Sequence, residues 1–474
     1  MALYEETEAR KIKENHFLSP AEKEASIISL KSLKDKMYGS NSSLKTVFSC
    51  VNCMMGSICL ILPLMFGNSG VIPNVVTIIF LALISTKTTN LIITHAAHEE
   101  IDLCTLIKRR LGENFLKVYC VVSGSFNFMV CIIYYLFITK MLFLLLRSII
   151  GGDKTAEIQT INFDTFSIQY ACLIAGVLSY IIISIKDVSK IVKLGQYGAI
   201  SIYLYSFFIV FCGFRNMINN ENFHIGHIKW MPDEISQVFS LPGTFAFAYC
   251  LHNAVIPIMK QNKCQENNIR DISLAHLTVA FLYIIIGMFG TLGLAGKEPI
   301  KGASVVMDYF EEGDWAPLFI DSLFLFNCLM SLPLMSHLCQ LQTLQIFFNF
   351  AEIPNKDKHF FDMFLITVCL LFGIFNVSIG FVIEITGSVA GFFIIYYVPI
   401  QIHLSCLYGK QSDKMTELQT EYEESLVYRE DCSHGRSYKK IPSKIRKLGY
   451  LSILLFGIST MLIDLIILFK GLAN

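Results

Sequence analysis

Two stretches of the chain set helix-breaking and polar residues inside otherwise apolar sequence. One is VNCMMGSICLILPLMFGNSG (51–70), with Asn52, Gly56, Ser57 and Pro63; the other is FSLPGTFAFAYCLHNAVIPIMK (239–260), with Pro242, Gly243, His252, Asn253 and Pro257. A helix in lipid satisfies its own main-chain hydrogen bonds, so unwound backbone at membrane depth is tolerated only where it faces protein or a water-filled cavity. The free amides and positive dipole end of one opened half-helix receive a carboxylate, and the bare carbonyls of the other receive an ammonium group or a cation. Together they fit the zwitterion of an α-amino acid. Each stretch also has a plainer reading. Gly56 and Ser57 suit a kinked, closely packed helix, and 239–260 lacks a central glycine, which leaves a kink and a full break both open. His252 divides in the same way: its unperturbed imidazole titrates near about 6.5 and suits proton coupling, whereas the common outcome is a hydrogen-bonded structural histidine.

The elements that must position these residues follow from composition. Of 474 residues, 54% are hydrophobic and 16% charged, with a net charge of zero. A soluble chain of that length carries more charge, so the class is an integral membrane protein. The apolar residues fall in blocks of about 20, the length of a membrane-spanning helix, which excludes an outer-membrane barrel. Eleven blocks predict eleven transmembrane helices: 46–67, 71–93, 117–146, 166–185, 191–214, 236–259, 274–296, 316–348, 362–382, 384–405 and 449–470. The polar first 45 residues form a tail without the features of a cleavable signal peptide. Residues 46–470 form the transmembrane domain, with 410–448 a charged loop between the last two spans.

Most of the 38 Lys and Arg residues lie in the tail and in loops 94–117, 186–193, 260–271, 352–362 and 406–448. This places the N-terminus in the cytosol. Nearly all 15 cysteines lie in spans or cytosolic loops, so no structural disulfide is expected. The Asn-x-Ser sequons at Asn41 and Asn376 fall on the cytosolic side and inside a span, where neither is glycosylated. Interrupted first and sixth spans are what an inverted repeat of five plus five helices gives, with one extra helix at the C-terminus.

The stretch Asn52 to Ser57 followed by LILP resembles the first-span signature of the amino acid/auxin permease superfamily, which includes the sodium-coupled neutral amino acid transporters. FAFAYCLHNAVIPIMK (245–260) is similar to the sixth span of that family, and FVIEITGSVAGFFIIYYVPIQIHL (381–404), with Thr386 and Gly387, to its tenth. QENNIRDISLA (265–275) and PLMSHLCQLQTLQIFF (333–348) look closest to the lysosomal branch, whose members export amino acids and signal arginine abundance. The resemblance covers roughly residues 46–470. It implies an all-α, LeuT-type fold and secondary transport of amino acids by alternating access, coupled to Na+, to H+ or to neither. It implies substrate contacts at Asn52, Cys53, Met54, Met55, Gly56 and Ser57 in span 1 and at His252 and Asn253 in span 6. A sodium site would draw on oxygens of span 1, with Asn52 a candidate, and on a span 8 hydroxyl, from Ser322, Ser331 or Ser336. A lysosomal or vacuolar membrane is favoured, with the plasma membrane or another organelle as alternatives. Cys53 and Ser57 replace threonines of the closest branch, and the short tail leaves less room for a regulatory segment.

Other polar features read more plainly. Met54 and Met55 are either core filling or ligand contacts. Asp321 and Glu384 are expected at hydrated interfaces. Asp464 lies deeper, where an acid should pair with something or line water, a proton relay being the sharper reading. Cys50 and Cys53 have redox spacing but no strand-to-helix setting. HAAHEE (95–100) lacks the zinc-peptidase order and reads as the solvated end of span 2. Gly287, Gly290, Gly293 and Gly296 form a helix-packing stripe. The expected partners are an amino acid, the lipid bilayer and cytosolic regulators acting through the tail or loop 410–448, with no nucleic acid. No constellation supports an enzyme. The competing class is a receptor or accessory subunit that keeps the transporter fold without transporting.

Overall fold

The computed structural model describes residues 39, 41–97, 100, 102–150, 166–184, 188–219, 228–294, 306, 315–348, 355–408 and 443–473. The tail to residue 38 and most of loop 410–448, expected to bind regulators, lie outside them. The described residues are helical; β pairing is confined to isolated bridges such as Asn41 with Asn262. Seven helical stretches among them are long and apolar enough to cross a membrane: Val71–His95, Glu113–Ile149, Ile200–Ile218, Gln265–Leu294, Pro317–Leu344, Ile379–Cys406 and Leu448–Ile467.

The first predicted span is broken. Helix α1 (Ser43–Met54) starts at Ser42, whose hydroxyl accepts from the Lys45 amide at 3.4 Å. It stops at Met55, where ψ swings to 95°, and Gly56 (φ −125°, ψ −145°) leads into a single 3-10 turn, Ser57–Leu60. Helix α2 (Leu62–Ser69) then begins with Pro63 in its first turn. Pro63 is therefore a helix starter: its fixed φ suits the first turn, where its missing N–H costs nothing. Gly70, at φ +83°, makes the corner into α3 (Val71–His95). A Cβ on Gly70 would lie 2.8 Å from the Met231 carbonyl carbon, so both backbone angle and space require glycine there.

Span 6 is broken as well. A short helix α4 (Ser236–Phe239) precedes α5 (Leu241–Ala248), which has Pro242 in its first turn, and α6 (Val255–Lys260) resumes after a gap of non-helical residues. The sequence left a kink and a break both open here; the break is real. Between these two interrupted spans lie α7 (Leu103–Leu111), α8 (Glu113–Ile150), α9 (Ile168–Ile183) and α10 (Val188–Asn219). After them come α11 (Asn268–Leu294), α12 (Trp315–Phe348) and α13 (Asn355–Ile374). The tenth span is α14 (Ile379–Ile385), two π-helical stretches at Thr386–Ala390 and Phe392–Tyr397, and α15 (Val398–Tyr408). Helix α16 (Ser443–Ala473) closes the chain. Asn376, expected inside a span, sits instead in the turn between α13 and α14 with φ +49°.

Helix α8 runs along α12, while α11 packs against α10, α3, α2 and α1. The glycine stripe on α11 accounts for part of that packing. A Cβ on Gly287 would strike the Phe66 ring, and one on Gly290 would strike Pro63; Gly293 faces the backbone at Gly213. Gly296 lies outside the described residues. Gly290→Val is expected to overpack the α11–α2 contact and lower stability by about 1–3 kcal/mol, checked by thermal unfolding of the purified protein.

Candidate functional site

The two breaks meet around a cavity of about 260 Å³. Span 1 supplies Cys53, Met54, Gly56 and Ile58, and span 6 supplies Phe247, Ala248, Cys250 and Asn253. The opposite wall comes from α8, with Tyr119, Phe126, Asn127, Val130 and Tyr134, and from α12, with Met335, Leu338 and Gln342. Asp102, Leu103 and Cys104, where α7 begins, complete the lining on the side of the loop after α3, here called the mouth. Apolar and aromatic surface with a few converging polar groups is the ordinary make-up of a small-molecule site.

Those polar groups are paired across elements. The Tyr119 hydroxyl donates to Asn253 Oδ1 at 2.7 Å, and Asn253 Nδ2 donates to Ser123 Oγ at 3.1 Å. Asn127 Nδ2 donates to Gln342 Oε1 at 2.7 Å, across 215 residues of sequence. Among the lining residues Asp102 is the one formal charge, and its carboxylate caps α7 by accepting from the Thr105 amide at 2.9 Å. The wall deeper than the mouth is neutral.

The main-chain groups freed by the breaks have specific partners. Tyr283 of α11 serves both: its hydroxyl is 2.8 Å from the Met54 carbonyl at the end of α1 and 3.4 Å from the Ala248 carbonyl at the end of α5. Tyr205 donates to the Cys59 carbonyl at 3.0 Å, and Ser85 to the Tyr249 carbonyl at 3.1 Å. Among the described residues the Gly56 N–H meets no backbone acceptor. Unwound backbone is thus held by hydroxyls of neighbouring helices, as burial requires.

Of the residues proposed from sequence, Cys53, Met54, Gly56 and Asn253 line this cavity. Met55 is buried in the core, and Asn52 is half-buried outside the lining. Ser57 belongs to the 3-10 turn. His252 is fully buried on the far side of span 6, with Nε2 2.9 Å from Thr88 Oγ1 and 3.3 Å from Thr89 Oγ1 of α3. Ser322, Ser331 and Ser336 of α12 are absent from the lining; Ser336 is buried, and the Ser322 hydroxyl donates to the Leu318 carbonyl at 2.8 Å. Sequence reasoning missed Tyr119, Asn127, Gln342 and Tyr283. They sit in regular helical sequence, where no local signal separates a cavity side chain from a core one.

The HAAHEE segment also differs from the expected solvated end. His95 Nε2 lies 2.8 Å from His403 Nδ1 of α15. Glu100 is buried, with its carboxylate 2.6 Å from Arg109 Nε and accepting from the Ala97 amide at 2.8 Å. Burial pushes the Glu100 carboxyl above the usual carboxylate range, and Arg109 opposes the rise. This ion pair fixes the loop that carries the cavity mouth. Asp321, expected at a hydrated interface, is buried on α12.

The fold is shared with a solved structure, that of MhsT in complex with L-phenylalanine: TM-score 0.55 at 13% identity, covering 91% of this chain and 99% of that one. In sequence, the chain is 22% identical over 449 residues to the sodium-coupled neutral amino acid transporter 9 homolog of Caenorhabditis elegans, which spans 80% of this chain and 70% of that protein. It is 30% identical over 172 residues to neutral amino acid transporter 9 of Danio rerio, spanning 35% of this chain and only 31% of the relative's length. The family described as transmembrane amino acid transporter protein matches residues 39–422. A chain that matches over this range, with both interrupted helices inside it, belongs to the transmembrane amino acid transporter family.

Proposed function

We propose that the protein is a secondary transporter that moves neutral amino acids across a membrane by alternating access. The observation that supports this reading is the cavity between two broken helices, neutral apart from Asp102, where the amides and carbonyls of the breaks suit the zwitterion and the apolar wall suits an uncharged side chain. Cys53, Met54, Gly56 and Asn253 are the substrate contacts in this reading, joined by Asn127 and Gln342. The basic loops favour a cytosolic side for the mouth at Asp102. In this reading the cavity opens inward, and the far end is the closely packed region around Gly70 and Gly243. The resemblance of 265–275 and 333–348 to the lysosomal branch favours a lysosomal or vacuolar membrane. Coupling to Na+ or H+ belongs to the same proposal, and cytosolic regulators would act through the tail or the charged loop.

The test is purified protein in liposomes with labelled neutral, cationic and anionic amino acids, each under a sodium gradient, a pH gradient and neither. Saturable uptake of neutral substrates, with charged ones at least about tenfold slower, is the expected result; one decade corresponds to about 1.4 kcal/mol of discrimination. Binding without flux for any substrate would favour a receptor instead. Gln342→Glu sets a carboxylate into the neutral wall. It is expected to cut neutral amino acid uptake about tenfold or more and to narrow the gap to cationic substrates, read in the same assay.

A further inference from the structure

Outside the cavity, Asp464 is an ionisable side chain with no use in the reading above. It lies in the C-terminal half of α16 and is 2% exposed, and among the described residues neither carboxylate oxygen makes a hydrogen bond of standard geometry, although the Ser388 hydroxyl lies close by. It rests against the backbone of α5, the half of span 6 that closes the end opposite the mouth. A Cβ built on Gly243 would stand 2.6 Å from Asp464 Oδ2, 2.8 Å from the Glu384 carbonyl oxygen and 3.2 Å from Ser388 Cβ.

The elements packed on α16 offer little to hold a charge at Asp464. Helices α3 and α15 touch α16 at Phe456 and Tyr450, where the titratable His403 lies far from Asp464 along the helix. Helix α5 presents Gly243 and no titratable side chain, and α4 none. The π-helical stretch presents Ser388, whose hydroxyl donates to the Ile385 carbonyl at 3.2 Å. The second π stretch presents the neutral phenol Tyr396, which lies against Gly457, seven residues away along α16. Helix α14 adds Glu384, which is half-buried and of the same sign. No cation faces Asp464 among the described residues. An ionised carboxylate without a donor or counter-ion at membrane depth is costly, and a second acid beside it raises the cost. In this packing Asp464 is accommodated as the neutral acid.

We infer that Asp464 is a proton-binding site that ties closure of the far end of the transporter to proton uptake from that side. The inference rests on the alternating-access reading. When α5 parts from α14 and α16 to open the far end, water reaches the carboxyl and the proton leaves; when the end closes on Gly243, the carboxylate takes one proton back. Acid on the far side therefore favours the state seen here, with the mouth open at the other end, by linkage between proton binding and conformation.

The test uses proteoliposomes with the pH on the mouth side and the sodium concentration fixed while the pH on the far side is varied. Cys53 is exposed within the cavity, so its labelling by a membrane-impermeant maleimide from the mouth side, located by peptide mapping, reports the open mouth. In the wild type, labelling is expected to rise as the far side is acidified, by at most about tenfold per pH unit for a single proton. Asp464→Asn, which keeps the shape and cannot titrate, should remove that dependence, and Asp464→Ser should do so if the amide variant fails to fold. Glu384→Gln should keep it. Persistence of the wild-type response in both Asp464 variants, or its loss in Glu384→Gln alone, overturns the assignment. Amino acid uptake is read in the same vesicles. If labelling follows pH through Asp464 while no substrate is carried, the proton site stands and the transport reading fails.

Discussion

Gly56→Leu is expected to abolish amino acid uptake while leaving the folded protein in place. Gly56 is the point at which span 1 stops being a helix, and it lines the cavity. A Cβ there meets only the Tyr134 hydroxyl, at 3.6 Å, an ordinary contact, and the backbone has negative φ, which an L-residue adopts without strain. The four added carbons then have one place to go, into the cavity of about 260 Å³ that would hold the substrate. The transport loss should exceed a hundredfold, about 2.8 kcal/mol, while thermal stability changes by less than about 1 kcal/mol. Unchanged uptake by a folded Gly56→Leu protein would remove the break in span 1 as the binding site.

Tyr283→Phe should cost more than the loss of one hydroxyl usually does, in stability and in transport together. The Tyr283 side chain is fully buried, and its hydroxyl faces the carbonyls of both Met54 and Ala248, so it joins the last turns of α1 and α5 through a single group. Removing it leaves the two carbonyls that share its one proton without that donor, a loss of about 1–3 kcal/mol when buried. It also unties the two half-helices whose relative position shapes the cavity. The expected outcome is a clear fall in unfolding temperature together with a tenfold or greater loss of uptake. Tyr205→Phe is the comparison, because Tyr205 reaches one carbonyl, that of Cys59, in one broken span only. If the two variants behave alike, the shared role of Tyr283 is wrong.

Much of this architecture was legible in the chain because its causes are local. Hydrophobic blocks report helices directly: each predicted block contains α-helix among the described residues, and seven stretches there are long and apolar enough to cross a membrane. Asn52, Gly56 and Ser57 made span 1 suspect because glycine and hydroxyl side chains weaken a helix at their own position, but they suited a kinked, closely packed helix equally well, and the structure decided for the break. Prolines were read too simply: Pro63 and Pro242 begin half-helices, since proline suits a first turn as well as it disrupts an interior.

What the sequence by itself determined, then, was a membrane bundle of apolar helices with two suspect spans and a family signature around them. The tertiary structure decided the rest. Span 6 opens without a central glycine because Ser85 and Tyr283, from α3 and α11, take up the carbonyls its helix gives up. His252 turns to the threonines of α3 while its neighbour Asn253 faces the cavity, a choice set by which partner helix lies on each side. Asn127 finds Gln342 across 215 residues. Such pairings depend on which surfaces meet once the helices have packed, and a helix in lipid carries no mark along its own length of where another chain segment will offer it a hydrogen bond.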